Sequence, residues 1–220
     1  MAMSERLPLP LEMVAGAIGG VPIIGGALEP AAERGLEQLL AERRRNSSRL
    51  LEMACQRARM SREDLTDLIL ESPETLGLTT RILYTAGMNG HDEVIQILAG
   101  FLGDALADPA KTDDVQAFVG AMTQISGRHI QVLERIAAGP PPLANLNRWT
   151  SGLLEIALPY RHEVTQVAVK GLVAAGFVSE GGFDGGGADQ ETEPGGTVYL
   201  ISDVGLAVLD VLHTMRAGDQ

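Results

Sequence analysis

The stretch that most restricts the fold lies near the end of the chain. Residues 170–212, KGLVAAGFVSEGGFDGGGADQETEPGGTVYLISDVGLAVLDVL, read as helix, strand, glycine-rich excursion, strand and closing helix. The runs GFVSEGG and TVYLIS are short and β-prone, and they flank a polar tip, as in a hairpin with a long loop. Ser202 stands where a helix N-cap belongs, with Leu206, Leu209 and Leu212 following as inward positions. Upstream, Ser126 caps GRHIQVLERIAAG, which stops at Gly139 and the prolines 140–142. Further helices are expected over 151–158 and 162–175, the second with Val164, Val167, Ala168, Leu172 and Val173 inward. Three helices, a two-stranded β-wing and a closing helix follow in the order of a winged helix, an elaboration of helix-turn-helix.

Winged helices commonly sit on DNA, but the charges here oppose that. Over residues 143–220 four bases face ten acids, a net charge of −6, within a chain of net charge −12. A DNA reader sets Lys and Arg against phosphates, and its nonspecific affinity rests mainly on those contacts. The expected recognition helix offers only Arg161, His162 and Lys170, and the wing tip DGGGADQETEP is acidic. Protein contact or self-association is therefore expected, with nucleic acid disfavoured. A transcription regulator that binds DNA through Arg161 and Lys170 is the alternative.

Only 4% of residues are aromatic against 45% apolar, so the core must come from Leu, Ile, Val, Ala and Met. That balance favours helices over a β-sandwich. From Pro30 the apolar residues recur at intervals of three and four: Leu36, Leu39 and Leu40, then Leu50, Leu51, Ala54, Cys55 and Ala58. Seven arginines lie within residues 42–62 against Glu42 and Glu52, a local charge of +5. Arg43, Arg44, Arg45 and Arg49 are candidates for binding an acidic partner, although a basic helix face is more often a solvated one answering acidic neighbouring helices. Ser61 with Asp64 opens the next helix, whose inward positions are Leu65, Leu68, Ile69 and Leu70. Ser72 and Pro73 open another that runs through Ile82, Leu83 and Ala86 to Asn89–Gly90, expected to supply a left-handed cap. Residues 92–107 form a regular helix closed by Asp108–Pro109, and Thr112 starts one more. The expectation is a mostly α protein: an N-terminal antiparallel helical bundle over 30–125 and a winged-helix-like module over 126–216. A Pro-rich linker, 139–150, lies inside that module and carries Trp149, a candidate interface anchor or packing residue.

Residues 1–29 are expected to be a flexible apolar arm. Its segment MVAGAIGGVPIIGGAL, residues 13–28, carries no charge but is too short for a bilayer span, and Pro22 and several glycines break it. Gly16, Gly20, Pro22, Ile23 and Ile24 are its candidate contact residues, toward a partner or a membrane surface. A membrane-active effector using 13–28 is the second alternative. Chemistry finds less support. The four histidines, His91, His129, His162 and His213, have no ligand-spaced companions, so no metal is expected. Phosphate and dinucleotide fingerprints are missing from the sequence, so neither a cofactor nor an enzyme is expected. Cys55, the single cysteine, reads as a small buried residue of a reducing, cytoplasmic protein.

GGVPIIGGALEPAAERG with its Arg-rich helix, ESPE, HDEVIQILAGFLGDALADP, ISGRHIQVLERIA and VYLISDVGLAVLDVL together resemble a diffuse group of bacterial and phage-borne proteins. Some of that group are abortive-infection-alpha-like. The resemblance covers about residues 18–212, with Ser202 where the group carries Thr. It implies a helical bundle with a winged-helix-like tail, a bacterial intracellular protein and a link to phage defence, and it brings no catalytic residues.

Overall fold

The computed structural model describes residues 29–140, 149–181 and 197–218. The described chain is mostly helical, with nine α-helices, one 3-10 turn and a three-stranded antiparallel sheet. It divides into two compact units. Of the described residues, the first takes those up to Gly90 together with Leu98–Val119, and the second takes His91–Ile97 and those from Gly120 onward.

In the first unit, α1 (Glu29–Ala58), α2 (Arg62–Glu71) and α3 (Pro73–Met88) are followed by most of α4 (Asp92–Ala107), the 3-10 turn Pro109–Lys111 and α5 (Thr112–Met122). Local chemistry sets the helix starts. The Asp64 N–H donates to Ser61 Oγ at 3.1 Å while the Ser61 N–H donates to the Asp64 carboxylate at 3.2 Å, closing a capping box. The Ser61 hydroxyl, which donates to the Asp64 carboxylate at 2.7 Å, and then the Ser61 N–H hold that carboxyl below its ordinary pKa. Ser72 accepts from the Thr75 N–H at 3.3 Å, and Pro73 follows at the first turn, where its missing N–H does no harm. α3 lies against both α1 and α2, and Leu50, Ala54, Leu65, Ile69, Ile82 and Leu83 are buried.

Three expectations for this unit fail. Leu36 and Leu39 are 50% and 45% exposed, because burial in α1 begins only near Ser47. Leu70 is also 50% exposed, one position past the inward face that Leu65 and Ile69 define. The left-handed cap at Asn89–Gly90 is not formed: Asn89 is extended, φ −110°, and its N–H closes the helix on the Ala86 carbonyl.

The second unit contains α6 (Gly127–Ala137), β1 (Trp149–Thr150), α7 (Ser151–Ala157), α8 (His162–Ala174), β2 (Val178–Gly181), β3 (Val198–Ile201) and α9 (Asp203–Gly218). The sheet order is β1-β3-β2, with Trp149 opposite Tyr199 and Val178 opposite Ile201. The two-stranded expectation thus gains a third strand, which contains Trp149. Two residues carry no periodicity, so only pairing with β3 reveals this strand. Residues 141–148 of the expected linker and 182–196 of the wing lie outside the described residues.

α6 packs against α8, β3 and α9. Its face of Ile130, Leu133 and Ile136 is buried, and Trp149, 1% exposed, donates its indole N–H to the Ile136 carbonyl at 3.2 Å. The Arg135 guanidinium stands 5.2 Å from the centre of the Trp149 ring, a cation–π contact. Between β2 and α9 the backbone closes tightly. Ser202 donates its N–H to the Phe177 carbonyl and its hydroxyl to the Gly176 carbonyl, then accepts the Gly205 N–H at 3.0 Å as a helix cap. Gly176 has φ +77°, a left-handed turn that glycine enters without steric penalty.

Candidate functional site

The α7–α8 corner carries the most distinctive surface of the second unit. The Thr150 hydroxyl accepts from the Leu153 N–H at 3.4 Å and starts α7 directly off the β1 strand. Seven residues later Leu158 ends the helix in extended conformation, and Pro159 and Tyr160 carry the chain to α8. Thr165, Ala168, Val169 and Leu172 recur at helical spacing and are buried, which fixes the inward face of α8.

The outward face then follows by geometry. Glu163, Val167, Lys170 and Ala174, spaced four, three and four, share the opposite stripe and are all exposed. Val167 is 68% exposed, and Ile156 on α7 is 85% exposed. Gln166 and Glu155, on α8 and α7, are joined by a 3.3 Å hydrogen bond that ties the two helices together. Glu155 also binds His162 Nδ1 at 2.7 Å. Hydrogen bonds from His162 and then Gln166 hold the Glu155 carboxyl below its ordinary pKa.

The expected inward role of Val167 is therefore corrected. The signal was present: Val167 lies on the stripe of Glu163 and Lys170, not on that of Ala168 and Leu172. Leu206 is corrected likewise. It is 48% exposed, while Val208, Leu209 and Leu212 form the buried face of α9.

The other predicted residues fall at separate places. Arg161 and Lys170 are both exposed, at the N-cap and in the third turn of α8. Trp149 is buried, held by the α6 carbonyl and Arg135. In the first unit Arg44 and Arg45 are exposed. Arg43 is half-buried along Gly87, its guanidinium 2.7 Å from the Met88 sulfur. Arg57 forms a two-point pair with Asp104, at 2.7 and 3.3 Å, over Gly103. The Arg-rich helix is in part a packing and ion-pairing surface. Gly16, Gly20, Pro22, Ile23 and Ile24 lie outside the described residues.

Two small cavities lie among the described residues. One of about 10 Å³ is lined by Ser151, Glu155, Thr165, Gln166 and Tyr199, among others, which is room for about one water. A groove of about 180 Å³ runs beside Leu39, Arg43, Asn46 and Met88, below the usual size of a small-molecule site. His129 is structural. Its Nδ1 accepts the Ser126 N–H at 3.1 Å, which requires the neutral ring, and the ring packs onto Gly171, where a Cβ would lie 2.5 Å from Nε2. Burial accordingly pushes the His129 pKa below 6.5. Burial also pushes the Cys55 thiol up, away from thiolate reactivity. Among the described residues no cluster of three or more His, Cys, Asp and Glu is placed to hold a metal, and no helix is long and apolar enough to cross a membrane.

Comparison with known proteins finds no matching family model, no matching curated protein and no matching solved structure.

Proposed function

We propose that this protein acts by binding protein rather than by catalysis, and that its second unit is a winged-helix-like module whose α7–α8 face makes the contact. The order α6, β1, α7, α8, β2, β3 and the β1-β3-β2 sheet support the module. The helices of the first unit form a bundle in this reading. The observation that carries the contact is the outward stripe of α8. Where a DNA reader presents cations, this helix presents Val167, flanked by one acid and one base. An exposed helix face with an apolar centre and balanced charge favours contact with protein over contact with phosphate. The link to phage defence rests on the resemblance of the sequence alone.

Duplex DNA binding by the whole protein, followed by fluorescence anisotropy across a salt series, tests this reading. The expected result is no binding at physiological salt, with wild type and the Arg161→Ala/Lys170→Ala variant indistinguishable. Tight, steeply salt-dependent binding lost in that variant would overturn it in favour of the regulator. The membrane-active alternative has its own signature, leakage of anionic vesicles that disappears on deleting residues 13–28.

A further inference from the structure

We infer that the α8 stripe is a two-fold contact with a second copy of this chain, an inference that rests on the protein-contact reading above. Along the stripe the order is acid, apolar, base: Glu163, Val167, Lys170. With a rise of about 1.5 Å per residue, Glu163 lies about 6 Å before Val167 and Lys170 about 4.5 Å after it. Laying two such helices antiparallel about a two-fold axis at Val167 brings Val167 against Val167. It also places Glu163 of each copy within reach of Lys170 of the other. A charge order that reverses sign about an apolar centre is complementary to itself under this operation, as an isologous interface requires. Arg161 and the Glu155–His162 pair form a polar rim.

The net charge of −12 per chain opposes association of two copies. At physiological salt, however, the Debye length is about 8 Å, so distant acids are screened while pairs in contact act fully. The local pattern therefore decides, and each of its three positions is exposed in the single chain, so substitutions there leave the core untouched.

Sedimentation equilibrium of the full chain over a range of concentrations tests the inference, with circular dichroism confirming that each variant is folded. The wild type is expected to approach twice its 23.3 kDa mass. Val167→Asp is expected to weaken association at least tenfold, as are Glu163→Lys and Lys170→Glu alone. The double reversal Glu163→Lys/Lys170→Glu is expected to restore it, because the exchanged charges meet again across the axis. A wild type that stays monomeric, a Val167→Asp variant that still dimerises, or a double reversal no better than either single one would overturn the second-copy contact. A monomer that also binds no DNA leaves the protein-contact reading standing. DNA binding lost with Arg161 and Lys170 removes both.

Discussion

Gly205 gives a prediction whose sign runs against helix propensity. It sits buried in the first turn of α9, and a Cβ built there would lie 2.2 Å from the Phe177 carbonyl oxygen. Elsewhere in a helix, Gly→Ala gains up to about 1 kcal/mol by reducing the entropy lost on folding. Here the obstacle is backbone, so α9 must move outward by about 1 Å to reach ordinary contact. That shift strains the Ser202 N–H bond to Phe177 and the Ser202 hydroxyl bond to Gly176, each worth about 1 kcal/mol net. Overpacking itself costs about 1–3 kcal/mol. After subtracting the propensity gain, Gly205→Ala should destabilise the second unit by about 2–4 kcal/mol.

The assay is built into the chain. Trp149 is the single tryptophan and is buried in the second unit, so urea unfolding followed by its fluorescence reports that unit alone. Gly77→Ala, at an exposed position of α3 with open space around it, is the matched control in the first unit. It should stabilise by about 0.5–1 kcal/mol, read by circular dichroism. If Gly205→Ala proves neutral or stabilising, the close approach of α9 to Phe177 is wrong, and with it the closing geometry of the sheet.

Three further outcomes are expected. Trp149→Phe removes the indole bond to the Ile136 carbonyl, which keeps the Gly139 N–H, and should cost about 1 kcal/mol, measured by urea unfolding with circular dichroism because the fluorophore is gone. Ser61→Ala opens the capping box of α2 and should cost about 1 kcal/mol by the same measurement. His129 has a folded pKa below its unfolded 6.5, so its contribution to stability is complete above pH 6.5 and is lost as pH falls through the folded value. Urea midpoints taken between pH 7.5 and 5 should fall in the wild type and fall less in His129→Gln, which accepts the same Ser126 bond without titrating. Equal slopes would remove His129 as the source.

What the sequence made legible were signals that act within one turn of chain. Ser61, Ser72, Ser126 and Ser202 each stand at the start of the helix they were read to open, because a cap involves a side chain and backbone only three residues apart. The two hairpin strands and the start at Thr112 were readable on similarly local grounds. What stayed hidden depends on partners far along the chain. Trp149 becomes a strand residue only because Tyr199, fifty positions on, lies opposite it. Gly171 and Gly205 reveal their purpose only when His129 and Phe177 close on them. Exposure was the weakest reading, since apolar spacing gives a helix's inward face but not where along the helix burial begins. Leu36, Leu39 and Leu206 show this. Val167 was different: the expectation set it inward, although counting from Glu163 and Lys170 puts it on the outward stripe.

The same count bears on the choice between DNA and protein. Arg161 and Lys170 are the cations that α8 carries, and two phosphate contacts give a salt slope of only about −1.8 on duplex DNA. Between 50 and 200 mM salt such binding weakens about tenfold, against the thousandfold or more seen for proteins holding six to ten phosphates. So few contacts leave little affinity to lose, and Glu163 stands between them on the same helix. In the winged-helix reading proposed above, α8 is the helix that meets the partner, and its composition decides what it meets. A stripe whose centre is Val167 and whose flanking charges are Glu163 and Lys170 offers little to phosphate and, in that reading, gains more from excluding water against another protein surface.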